Sequence, residues 1–112
     1  MKLLTQEIKK RLLALYGTES TPLADKIVQF KLFTPDSNWT WYVLEGSDEG
    51  TDFVLWGLVC GFEKEFGYTS LRELEGARGP LGLKIERDLY FTPKPLKDLP
   101  DAAELLRRLE AA

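Results

Sequence analysis

Hydrophobic and polar residues follow each other, through the first half of the chain, in a pattern that predicts three consecutive strands. Residues 27–34 alternate between apolar and polar side chains, as in a half-exposed strand. Residues 39–45 and 53–62 are apolar on both faces, which is typical of central strands. Turn residues separate these segments and predict an antiparallel meander, and residues 88–92 are expected to form the last strand.

Three short helices are predicted by capping residues and helical spacing. Thr5 is expected to cap an N-terminal helix whose apolar residues recur at helical spacing, and Gly17 is expected to end it in a left-handed conformation. Ser70 begins a capping box that opens a middle helix, and Asp101 begins another that opens a C-terminal helix. The combination predicts an α+β fold with an antiparallel sheet of four or five strands.

The length of 112 residues indicates a single domain spanning residues 1–112. Val28, Phe30 and Leu32 are predicted to share one face of the first strand. Three short helices are expected to cover one face of the sheet well. The other face is therefore expected to be covered by loops, by a second copy of the protein or by a ligand.

Composition excludes several kinds of chemistry. The chain has no histidine, so it lacks the commonest general base and metal ligand. Its single cysteine, Cys60, lies in an apolar run and is expected to be a buried hydrophobe. The N-terminus has no signal-peptide pattern and no segment is long enough to cross a bilayer, so a cytoplasmic protein is expected. Few thermolabile residues beside many Glu, Lys and Arg favour a thermophilic source.

An aromatic cluster is the first candidate site. Trp39 and Trp41 share one side of the second predicted strand, and Trp56 and Phe62 lie on its expected neighbour. These rings can be core residues, anchors for a protein partner or a second copy, or a stacking platform for single-stranded nucleic acid. The net charge of −3 and the acidic loop 46–52 disfavour nucleic acid.

Charged residues supply two further candidates. Arg78 and Arg87 can converge on an anion, or they can form surface ion pairs of little energetic weight. Glu45, Glu86 and Asp88 can serve a metal-dependent nuclease or hydrolase, because carboxylates alone can hold Mg²⁺. No spacing among these carboxylates marks a known metal site.

Several segments, taken in order, resemble the bacterial domain of unknown function family 2958 over roughly residues 1–98. The resemblance implies a small stand-alone bacterial protein of the kind often associated with plasmids and other mobile elements. It implies no reaction, so no catalytic residue is carried over. The segments that carry it are Phe33-Thr34-Pro35, Trp39-Thr40-Trp41-Tyr42, Gly57-Leu58-Val59, Leu71-Arg72-Glu73-Leu74, Arg78-Gly79-Pro80-Leu81-Gly82-Leu83 and Ile85-Glu86-Arg87-Asp88-Leu89-Tyr90-Phe91.

The sequence favours a small cytosolic binding or accessory module over an enzyme. We expect it to bind a protein partner or itself through the aromatic sheet face, with Trp39, Trp41, Arg78 and Arg87 as the binding residues. No cofactor and no resident metal are expected, and no membrane partner. A carboxylate-based hydrolase and a single-stranded nucleic-acid binder are the alternatives.

Overall fold

The computed structural model describes residues 1–111. Within them the chain forms three α-helices and seven strands. The helices are α1 (Gln6–Arg11), α2 (Leu71–Gly76) and α3 (Pro100–Ala111). The strands are β1 (Ile27–Val28), β2 (Phe30–Phe33), β3 (Thr40–Asp48), β4 (Phe53–Cys60), β5 (Lys64–Ser70), β6 (Glu86–Arg87) and β7 (Lys94–Pro95).

The main sheet has five antiparallel strands in the order β5-β4-β3-β2-β6, and β1 pairs with β7 in a second, two-stranded sheet. The predicted α+β class is therefore confirmed. The last strand of the main sheet is β6, which ends before the segment 88–92 that the sequence analysis assigned to it. The Asp88 side chain accepts a hydrogen bond from the Tyr90 amide at 2.9 Å, and this local turn prevents the strand from continuing.

One face of the sheet packs against the first two helices. Trp41, Val43 and Leu55 form a buried cluster there with Ile8 of α1 and Leu74 of α2. Thr5 and Ser70 cap these helices as predicted: their side chains accept hydrogen bonds from backbone amides three residues further on.

The opposite face packs against the C-terminal part of the chain. Tyr42 and Leu58 form a second buried cluster with Leu96, Ala102 and Leu106. The expectation that the helices cover only one face of the sheet is therefore wrong, because α3 lies on this second face. The segment before α3 adds a short 3-10 turn and apolar side chains to that helix, so together they close this face.

Two local predictions fail where the backbone leaves the regular pattern. The first strand is interrupted at Gln29, so Val28 packs in the second cluster while Phe30 packs in the first. Helix α1 ends at Arg11, well before the predicted stop at Gly17. The left-handed residue in this region is Tyr16, with φ of 69°.

Candidate functional site

A row of stacked aromatic rings lies where β3 begins and β4 ends. The Trp39 and Trp41 rings are 6.0 Å apart at their centroids and inclined by 28°. Phe62 meets Trp39 edge-on with centroids 5.5 Å apart, yet it is 95% exposed. Trp41 is 9% exposed and belongs to the core, whereas Trp39 is half-buried. The row therefore runs from the core to the surface.

Three glycines lie near this row: Gly61 in the turn between β4 and β5, Gly57 in β4 and Gly67 in β5. The Trp39 ring lies over Gly61, where an added Cβ would come within 2.4 Å of the indole. Gly57 of β4 pairs directly with Gly67 of β5 on the same face of the sheet. A Cβ on Gly57 would lie 2.0 Å from the Tyr42 carbonyl oxygen, so only glycine fits there. A Cβ on Gly67 would meet nothing within 4 Å, so the space above this strand is open.

The open space is a groove of about 540 Å³ beside the aromatic row. We call it the β5 groove. Its floor has no side chain at Gly67, and its charged lining residues are carboxylates. The groove is lined by Trp39, Trp41, Val59, Phe62, Glu63, Glu65, Phe66, Gly67, Tyr68 and Thr69.

Trp56 does not belong to this site, although the sequence analysis grouped it with Trp39 and Trp41. It faces the opposite side of the sheet, where it stacks on Phe66 with centroids 5.7 Å apart. The Lys26 ammonium lies 5.9 Å from its ring. The strict alternation of β4 places residue 56 on the opposite face from residues 55 and 57.

The two arginines proposed as binding residues lie away from the groove. Arg87 is in β6, which pairs with β2 on the far side of the sheet, and its guanidinium donates to the Lys2 carbonyl oxygen. Arg78 is exposed and pairs with Lys84 across an isolated bridge. The structure therefore brings Trp39 and Trp41 together and leaves the two arginines outside the site.

The three carboxylates of the hydrolase hypothesis are not brought together. Glu45 is 5% exposed and accepts hydrogen bonds from the Tyr16 amide at 2.8 Å and from the Thr18 amide at 3.1 Å. Glu86 is exposed at the sheet edge, and Asp88 pairs with the Lys31 ammonium at 3.6 Å. Across residues 1–111 no group of three or more acidic or cysteine side chains is placed to hold a metal ion.

The cysteine lies in the second core cluster, as expected. Burial, aided by the charge of Asp101, raises the pKa of the Cys60 thiol to about 11, so the thiol stays protonated at neutral pH. Burial also raises the pKa of Tyr42, whose hydroxyl donates to Asp101 at 2.6 Å. The hydrogen bond from Tyr42 to Asp101 joins β3 to α3.

Phe62 could be grouped with the aromatic residues from the sequence, but Gly67 in the floor of the groove was not predicted. The one available signal was a glycine, Gly67, inside a segment that otherwise alternates as a strand. Such a glycine often marks a close backbone approach or an open surface.

Comparison with known proteins gives a family and nothing more specific. No curated protein and no solved structure matches the chain. Within the described residues no helix is long and apolar enough to span a membrane. The family model described as "Protein of unknown function (DUF2958)" matches residues 3–108, which extends the resemblance from the sheet into α3. The chain therefore belongs to the DUF2958 family.

Proposed function

We propose that this protein is a binding module that holds an extended, basic segment of a protein partner in the β5 groove. One observation carries the proposal. An open groove, whose floor has no side chain at Gly67, runs beside an aromatic row whose outermost ring, Phe62, is 95% exposed. Phe62 contacts Trp39 and lines the same groove, and exposed apolar patches of this kind mark interaction sites.

The chemistry of the lining indicates the class of partner. Glu63 and Glu65 are the charged residues of the groove, and both are carboxylates. A lysine or arginine side chain is attracted to them and also to the faces of Trp39 and Phe62 through cation–π interaction. A volume of about 540 Å³ accepts a few side chains, so an extended segment with alternating apolar and basic residues fits.

The charges of the groove disfavour nucleic acid, and the positions of three other carboxylates disfavour a hydrolase. A nucleic-acid strand on the aromatic row would bring phosphates beside Glu63 and Glu65, where like charges repel and no lining lysine or arginine offsets them. The hydrolase hypothesis requires Glu45, Glu86 and Asp88 at one site, and their separate hydrogen bonds and exposures give it no support.

The biological setting is part of this proposal. A free, buried Cys60 fits a reducing compartment and so supports a cytoplasmic location. A bacterial host, association with mobile elements and a thermophilic source stay predictions, the first two from the family resemblance and the third from composition.

The test fills the groove without touching the core. In the variant Gly67→Val the new side chain enters open space, and valine suits a strand, so the fold is expected to persist. Gly76→Val at the end of α2 is the matched control, because a Cβ there also meets nothing within 4 Å and the position lies outside the groove. Each protein is titrated, by calorimetry, with peptides that alternate arginine and leucine or glutamate and leucine.

Binding of the arginine peptides to the wild type, loss of binding in Gly67→Val and retention in Gly76→Val would support the proposal. Double replacement of Glu63 and Glu65 by glutamine should weaken the same binding, because the two carboxylates no longer attract the cations. Equal affinity for the glutamate peptides, or unchanged binding by a folded Gly67→Val variant, would contradict it.

A further inference from the structure

The two edge strands of the main sheet differ in length. At one edge, β6 is two residues long, which leaves little backbone free to pair with another chain. At the other edge, β5 has seven residues, and no strand lies on its outer side among the residues that the structure describes. A long unpaired edge is a site for pairing with a further strand.

We propose that β5 pairs antiparallel with β5 of a second copy of this chain, around a two-fold axis at Gly67. Gly67 is the central residue of β5, so this register uses all seven residues of both strands. It places Lys64 opposite Ser70 and Glu65 opposite Thr69. Each charged residue then faces a neutral hydroxyl side chain, so the pairing brings no like charges opposite each other.

The register also pairs aromatic residues. Phe66 of each copy comes opposite Tyr68 of the other, on the face of the sheet where Phe66 already stacks on Trp56. Tyr68 is 55% exposed in the single chain, so this pairing covers apolar surface twice, once on each side of the axis. A self-complementary arrangement of this kind favours a second copy over an unrelated strand.

On the other face, Gly67 of one copy meets Gly67 of the other. The floor of the β5 groove then continues across the axis without an intervening side chain. The two grooves become one longer groove, lined by both copies. The dimer does not depend on what the groove binds, so it goes beyond the proposed function and is tested by molecular mass alone.

The experiment introduces a like-charge pair and then removes it. Thr69→Glu puts a second carboxylate opposite Glu65 of the other copy at two places in the dimer. Adding Glu65→Lys converts both places into opposite-charge pairs. Within one chain, the cross-strand neighbours of these two positions are Leu55 and Val59, so neither change creates a charge pair across β4 and β5.

Sedimentation equilibrium on the full chain gives the dimer dissociation constant. The wild type and Glu65→Lys are expected to be dimers. Thr69→Glu is expected to raise the dissociation constant roughly tenfold, because two like-charge pairs form, and the double variant to restore it. Thermal unfolding monitors folding of each variant, and Tyr68→Arg, at an exposed position, replaces Thr69→Glu if the latter does not fold.

Three results would overturn the proposal. The first is a wild type that stays monomeric throughout the concentration range. The second is an equal dissociation constant for the wild type and a folded Thr69→Glu or Tyr68→Arg variant, and the third is a folded double variant that dimerises as weakly as Thr69→Glu. If the wild type is monomeric and the outer amides of β5 become protected from hydrogen exchange when the arginine peptides bind, a foreign strand occupies the edge and the dimer fails. If the wild type is monomeric and the peptides bind without this protection, and Gly67→Val abolishes binding, the proposed function stands while the dimer fails.

Discussion

Glu45 is expected to be a structural residue, and replacing it by alanine should destabilise the fold strongly. Its carboxylate accepts hydrogen bonds from the Tyr16 amide, the Thr18 amide and the Thr18 hydroxyl. The Lys26 ammonium, on a side chain that is also buried, donates to the same Thr18 hydroxyl at 2.7 Å. These contacts hold Tyr16 in its left-handed conformation, with φ of 69°.

The magnitude follows from the number of donors left without their acceptor. A hydrogen bond to a charged group contributes about 1.5–3 kcal/mol, but the loop amides regain water in part when Glu45 is removed. We therefore expect Glu45→Ala to lower the free energy of unfolding by roughly 3 kcal/mol, which is a large fraction of the stability of a small domain. For a chain of this size the melting temperature should fall by about 12 °C.

Thermal unfolding followed by circular dichroism checks this value. Glu86→Ala is the matched control, because the sequence analysis assigned both carboxylates to the same hypothetical metal site and Glu86 is exposed. That control should change stability by no more than about 0.5 kcal/mol. If the two alanine variants melt within about 2 °C of each other, the stabilising role assigned to Glu45 is refuted.

Two other predictions concern the aromatic row and the response to acid. Trp41→Ala should lower the free energy of unfolding, measured by chemical denaturation, by about 3–5 kcal/mol because Trp41 is buried in the core. Phe62→Ala should change it by no more than about 0.5 kcal/mol, because Phe62 is exposed. Equal losses in the two variants would contradict the placement of the rings. The hydrogen bond from the Ser70 hydroxyl holds the pKa of Asp52 in the folded protein below its usual 3.8. The contribution of this carboxylate to the free energy of unfolding is therefore complete above pH 3.8, and it is lost as the pH falls through the lower pKa of the folded state. The gap in melting temperature between wild type and Asp52→Asn should therefore narrow below pH 3.8, and a constant gap would show that Asp52 does not contribute in this way.

Local sequence determined the elements whose signal lies within a few residues. Thr5 and Ser70 could be recognised as caps because the bond they accept comes from an amide three residues away. The alternation from Trp39 to Leu44 correctly separated the two faces of β3, since side chains of a strand point to opposite sides in turn. The predicted end of α1 at Gly17 was wrong: the helix ends at Arg11, and Glu45, distant in sequence, binds the Tyr16 and Thr18 amides of the loop that follows.

The sequence by itself thus determined the α+β class, most strand positions and the aromatic character of β3, because these depend on local periodicity. Only the tertiary structure decided that both sheet faces are covered, that Trp41 is core while Phe62 is exposed, and that Glu45 is bonded to a loop. It also decided where the groove lies, because Gly67 leaves open space beside the aromatic row only when β5 is paired with β4. Pairing of residues distant in the chain is set by the packing of the whole domain, and no local pattern encodes it.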